Sequence, residues 1–382
     1  MQDSQPLAVS NQRSAISPRA RCLPPSPFRL PPSRRGFTLT ELLIVIAIIA
    51  VLASLIAAAA VNALKAARRG QIVLEIKNIS GAIENFKNDY GAYPPNGINP
   101  SPTAVSGPTP GSAQALIQAD FQRMFKKAFP RHNEPVGVIM ALCGQNTGSG
   151  RQNLANGMNA AEALYFWMGG FSSDEQFPIS GPGGPSFATN GPSPGEVLEN
   201  RNRRYEFDLG RLAPRNDDGV FDLSKNRYIQ YQVDLNQNGN TTDPGEARQI
   251  NFWGYLPSGS EQALLYFDTS RHKPQQYDPP ASAASGGVPL YAIKAIREGF
   301  SSSATPTMND IVFADRKFQI LHCGIDDDWG DKGLGVSASN KSPVTTFADL
   351  ESYLYPTGVF IGPIADTLTN FTDGELADES EE

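Results

Sequence analysis

The chain has 382 residues, with 32 Lys and Arg against 39 Asp and Glu for a net charge of −7, and it carries 35 Gly and 31 Pro. An acidic balance argues against nucleic-acid binding, which rests on a basic patch or stripe. The three histidines, His132, His272 and His322, are scattered, the glycine-rich stretch 181–195 lacks the Gly-Lys-Ser/Thr of a phosphate loop, and no residue set supports an enzymatic reading.

Residues 1–33 are rich in Pro, Ser and Arg and show no core pattern, so they read as a disordered leader or as lying upstream of the true translation start. A short basic segment, Arg34-Arg35-Gly36, then runs into Phe37-Thr38-Leu39-Thr40-Glu41, and Leu42–Val61 follows with no charge, Pro or Gly. Glu41 is the anomaly, because a carboxylate at the bilayer centre costs on the order of 2.5–3.5 kcal/mol and normally has a partner. A cut after Gly36 would supply one, since the new amine of Phe37 lies four residues from Glu41 on one helical face. An amine from a neighbouring subunit would serve equally. Two other readings of the same residues are an uncleaved signal anchor and a twin-arginine export signal with cleavage near Ala57–Ala60. An acid is unusual in the apolar core of an export signal, and the helix pattern continues past that point without a break.

Gly36 followed by Phe37-Thr38-Leu39-Thr40-Glu41-Leu42-Leu43-Ile44-Val45-Ile46-Ala47 resembles the class III leader of type IV pilins and type II secretion pseudopilins. The resemblance implies cleavage after Gly36 and N-methylation of Phe37 by a prepilin peptidase, with Phe37 and Glu41 setting subunit register. It further implies an inner-membrane assembly platform, homo- or heteropolymers with other pilin-like subunits, and a head in the periplasm or an extracellular filament. Removal of residues 1–36, whose six Arg and one Asp give +5, takes the net charge from −7 to −12 and leaves 346 residues.

Beyond Val61 the apolar positions Ile72, Leu74, Ile76, Ile79, Ile83, Phe86 and Tyr90 keep spacings of three, four and seven, so residues 37–90 read as one helix about 80 Å long. Residues 37–64 form a transmembrane half, for which about 20 apolar residues suffice, and 65–90 an amphipathic half. Gly91 and Pro94 end the helix. The run Tyr90-Gly91-Ala92-Tyr93-Pro94 resembles the helix end of major pseudopilins. Ala58 stands where many relatives place a proline, which implies a straighter helix.

Residues 91–373 read as an α+β head in which an antiparallel sheet packs on the second half of the helix, with 97–310 as a large elaboration. Helical spacing appears at Ala113–Phe129, Pro135–Cys143 and Asn159–Met168. Strand composition appears at Tyr228–Asp234, Arg248–Leu256, Ala263–Thr269, Leu290–Ile296 and Ile311–Cys323. The stretches 94–112, 178–195 and 273–289 read as surface loops, and residues 374–382 as an acidic frayed tail. Cys22 leaves with the leader. Cys143 and Cys323 remain, as one disulfide or as two buried thiols.

Two acidic loops are candidate calcium sites. Asp234, Asn236, Asn238 and Asn240 have the D-x-N-x-N-G spacing of an EF-hand-type loop, with Asp243 or Glu246 to close the shell; the alternative is a solvated hairpin turn. Asp326 and Asp328 follow a strand in Gly324-Ile325-Asp326-Asp327-Asp328. That arrangement is similar to the calcium loop of major pseudopilins, and Asp366 aligns with the downstream ligand.

Overall fold

The computed structural model describes residues 36–97, 112–145, 154, 157–190, 201, 203–214, 227–272, 274, 290–300, 306–329, 353–360 and 362–380. Arg34, Arg35, the rest of the leader and most of the loop stretch 273–289 lie outside the described residues. The fold is α+β: a long apolar N-terminal helix and a head of short helices and largely antiparallel sheets.

Helix α1 spans Leu39–Tyr90, 52 residues. It starts two residues later than its hydrophobic pattern suggests, because Thr38 caps it. Its end is set by Gly91, which takes φ +69 while its N–H donates to the Lys87 carbonyl at 2.6 Å, a conformation that costs a residue with a side chain roughly 1–2 kcal/mol. Within this helix the chain divides into two compact units, Met1–Ala59 and Ala60–Glu382. In the first unit the large apolar residues from Phe37 to Ile56 are exposed, and α1 holds a window of mean hydropathy 3.1, long and apolar enough to cross a membrane.

In the second unit Ile72, Ile76, Ile79, Ala82, Ile83 and Phe86 are buried, which is the predicted stripe. Leu74 departs from it and is exposed. Helix α2, Ala113–Ala128, is capped by Ser112, whose hydroxyl accepts the Ala115 N–H, and it contributes Phe121, Met124 and Phe125 to the core. Helix α3 is Val136–Leu142. Helix α4, Ala160–Met168, is buried at all nine positions, an all-round burial that its near-continuous apolar run requires. Its N-terminus is closed by a reciprocal box in which Asn159 accepts the Glu162 N–H and Glu162 accepts the Asn159 N–H. Glu162 is tolerated in this core because Arg227 pairs with it at 2.8 Å.

Among the described residues the strands form four small sheets, where the sequence pattern predicts one. Strands β1 (Ser186–Ala188), β4 (Ala247–Phe252) and β3 (Arg227–Gln232) pair antiparallel in the order β1-β4-β3. A two-stranded pair joins β2 (Leu212–Ala213) to β5 (Gly254–Tyr255). Strand β9 (Phe318–His322) lies between β11 (Leu368–Thr369) and β6 (Leu265–Asp268), with Leu321 opposite both Leu265 and Thr369. Strand β7 (Lys294–Ile296) pairs antiparallel with β8 (Ile311–Phe313) and parallel with β10 (Leu354–Tyr355). The division has local causes. Buried Trp253 separates β4 from β5 within one apolar run, and the Ala314–Lys317 turn, held by Asp315 accepting the Lys317 N–H, breaks Ile311–Cys323 into β8 and β9.

One alternative left open by the sequence is decided, and one expectation is corrected. Cys143 and Cys323 are free thiols buried in different hydrophobic clusters, the first with Leu142 of α3 and the second with Leu265 of β6, so they do not form a disulfide. The segment after Asp373 is docked rather than frayed: it forms helix α5, Leu376–Ser380, with Leu376 fully buried and Glu375 paired with Arg69 of α1. Buried Leu376, the Arg69 contacts with Glu375 and Asp378, and the Leu376 and Ala377 N–H groups donating to the Thr367 and Ala365 carbonyls at 3.1 and 3.0 Å hold an otherwise acidic run against the head.

Candidate functional site

The N-terminal site is built on the first turn of α1. Residues 36–38 are non-helical and exposed, and Phe37 is 73% accessible. Glu41 Oε2 accepts both the Thr38 N–H at 2.9 Å and the Thr38 hydroxyl at 2.8 Å, and the Glu41 N–H lies 3.2 Å from Thr38 Oγ. This is a capping box in which the conspicuous acid also serves as the N3 partner of its own helix start. Of the two residues of the register expectation, Glu41 is a member of that box and Phe37 immediately precedes it. The role of Thr38 is absent from the functional expectation, although Thr38-Leu39-Thr40-Glu41 has the S/T-x-x-E form that signals it.

The acidic loop after β9 divides its three aspartates between different tasks. Asp327, in a left-handed conformation at φ 55, pairs with Arg68 of α1 at 2.6 Å and also accepts from the Ser260 hydroxyl. Asp326 Oδ1 accepts the Asp328 N–H at 3.1 Å. Asp366, drawn from the turn before β11, accepts the Ile325 N–H at 3.1 Å through Oδ2, while its Oδ1 is buried without a hydrogen bond. Burial and the neighbouring Asp326 carboxylate push the Asp366 carboxyl up to about 6. The structure therefore brings Asp326 and Asp366 together from positions 40 residues apart, and it commits Asp327 to the helix. A Cβ on Gly324, at φ +94, would strike the Asp366 carboxylate, so glycine is what lets the two segments approach.

The other acidic loop, between β3 and β4, closes upon itself. Asp234 accepts the Asn238 and Gly239 N–H groups at 3.0 and 2.8 Å, and the side-chain amides of Asn236, Asn238 and Asn240 converge on Asp243 at 2.7–2.8 Å. Glu246 is buried beneath, accepting from Leu235 and Asp243 N–H groups. Each carboxylate is thus engaged within the loop.

His322, Cys323 and Asp327 offer ligand atoms within 4.8 Å of one another, a convergence that the adjacency of the first two does not suggest. Hydrogen bonds link two of these residues to α1. The Gly324 N–H lies 3.1 Å from His322 Nδ1, which makes Nδ1 the acceptor and places the proton on Nε2, 2.8 Å from Ser260 Oγ. Burial holds the imidazole down to about 4 despite the nearby Asp327 carboxylate, and burial together with three acids raises the Cys323 thiol far above its ordinary range. The path His322–Ser260–Asp327–Arg68 therefore ties β9 to α1 through hydrogen bonds.

Residues 31–57 match the family model described as the prokaryotic N-terminal methylation motif. Comparison with curated proteins and with solved structures finds no match. The motif identifies a type IV pilin-like signal. It implies processing by a prepilin peptidase and assembly with other pilin-like subunits, and with the apolar α1 it marks a membrane-anchored chain.

Proposed function

We propose that this chain is a structural, non-enzymatic subunit of a pseudopilus, which polymerises by packing N-terminal helices and takes part in type II protein secretion. The observation that carries the reading is the Gly36-Phe37 junction followed by Glu41 in a helix otherwise uncharged to Val61. Glu41 meets a liberated Phe37 amine, its own or a neighbour's, and fixes register in the filament. The basic leader favours a cytoplasmic N-terminus and a periplasmic head. Mass spectrometry of the membrane-extracted protein is expected to give methyl-Phe37 as the first residue. An intact N-terminus, or a cut near Ala60, overturns the assignment. A second reading, a type IV pilin or a singly anchored binding protein, draws support from the size of the head. Neighbouring genes for a secretion ATPase and an outer-membrane secretin favour the first; loss of surface pili on deletion favours the second.

The head in this reading holds calcium through Asp326 and Asp366, with Asp328 as a further carboxylate. The donor set fits: hard carboxylate oxygens suit calcium, and Asp366 Oδ1 is buried without a hydrogen bond. The ion would offset the repulsion between the two acids and fasten the loop to the turn before β11. Millimolar calcium is expected to raise the melting temperature of the detergent-solubilised protein near pH 7.5. The rise should shrink below about pH 6, because Asp366 retains its proton up to about 6 and a protonated carboxyl is a poor ligand. No calcium-dependent rise, or an undiminished rise in Asp366→Asn, would remove this site.

A further inference from the structure

We infer that Thr38 is a positioning residue for leader cleavage, acting by stopping α1 short of the scissile bond; the inference rests on the reading that the chain is cut between Gly36 and Phe37. Hydrolysis there breaks the peptide C–N bond, with water supplying oxygen to the Gly36 carboxylate and a proton to the Phe37 amine. A peptidase that engages its substrate through the main chain needs backbone groups that are not committed to a helix.

The local sequence makes such commitment a hazard. The apolar, helix-forming run reaches back to Phe37, and an α-helix beginning there would spend the Glu41 N–H on the Phe37 carbonyl. In the structure that N–H faces Thr38 Oγ at 3.2 Å instead, and the first bond of the helical ladder runs from the Leu42 N–H to the Thr38 carbonyl at 3.1 Å. Thr38 contributes a third constraint through its own N–H, which Glu41 Oε2 accepts at 2.9 Å. The ladder therefore begins one residue after the scissile junction, and Gly36 and Phe37 remain non-helical and exposed. A Cβ on Gly36 would meet nothing within 4 Å among the described residues, so Gly36 itself is not packed against the helix.

This gives the acid at position 41 a task before assembly as well as during it. Both bonds from Thr38 fall on Oε2, so Oε1 is the oxygen left to receive an amine once the leader has gone.

The test is the initial rate of cleavage of the full-length, detergent-solubilised chain by a purified prepilin peptidase, read by mass spectrometry for wild type, Thr38→Val, Thr38→Ser and Thr38→Asn. Valine keeps the shape of threonine and loses the cap, and it should slow cleavage about fivefold, the shift that loss of an ordinary N-cap produces. Serine and asparagine cap as well as threonine and should restore the rate, although asparagine has a different shape. Equal rates for wild type and Thr38→Val overturn the positioning role and leave the processing reading intact. An asparagine variant as slow as valine overturns it too, because the peptidase would then be reading side-chain shape. A wild-type chain that keeps residues 1–36 overturns both.

Discussion

Replacing Glu41 with alanine is expected to leave the protein in the membrane and out of the filament. Insertion should not suffer, since removing a carboxylate from hydrocarbon relieves a cost on the order of 2.5–3.5 kcal/mol. Leader removal should still occur, at a reduced rate, because Thr38 Oγ can still accept the N–H of residue 41 while the Thr38 N–H loses its acceptor. Assembly loses the acceptor for the Phe37 amine, and neighbouring helices then have no charged contact to fix their axial offset. The measurement is the distribution of protein between membranes and sheared filaments, with the N-terminus checked by mass spectrometry. Filaments at the wild-type level from Glu41→Ala would eliminate the register role.

The largest effect within the head is expected at Trp167. This side chain is fully buried, its ring lies 5.4–5.6 Å from those of Phe86, Phe121, Phe166 and Phe171, and its indole N–H donates to the Pro95 carbonyl at 3.0 Å. It thus joins α1, α2, α4 and the chain leaving α1. Truncation to alanine should cost about 3–5 kcal/mol through lost burial and a residual cavity, a large share of the roughly 5–15 kcal/mol that stabilises a typical domain. Trp167→Phe should cost less, about 1–3 kcal/mol, with the Pro95 carbonyl left unpaired as a principal part. Urea unfolding of the full chain in detergent gives both values. A loss below about 1 kcal/mol for Trp167→Ala would show that the core closes without it.

What the sequence reveals depends on the range over which each feature is encoded. The isoleucine spacing from Ile72 to Phe86 defines the buried face of α1, because helical periodicity is local and repeats over many turns. The ends of α2, α3 and α4, and strands β3, β4, β6 and β9, fall within about two residues of their expected limits or lie inside the predicted runs. Strands of two or three residues, such as β10 and β11, carry no period to detect. The four-sheet arrangement is likewise hidden, since it depends on breaks at Trp253 and Ala314–Lys317 inside runs whose composition is uniformly strand-like.

The candidate sites follow the same rule. Gly36, Phe37 and Glu41 are nearly contiguous in the chain and readable at once, whereas the pairing of Arg68 with Asp327 spans 259 residues and leaves no trace in spacing. The approach of Asp366 to Asp326 is legible only through a resemblance. Leu376 is concealed by the acids around it: a single apolar residue in a charged run reads as solvated until a cavity is seen to receive it.

The docking of α5 on Arg69 and the burial of Leu376 bring the last segment of the head back to its first. Such a head is a closed circuit, in which the two ends of one folded body are neighbours. A label attached at Asp378 would accordingly sit beside Arg69 of α1, whose guanidinium lies 3.9 Å from the Asp378 carboxylate. Labels intended to stand clear of α1 are better inserted in the Asp234–Glu246 turn, whose exposed apex is held by its own side chains.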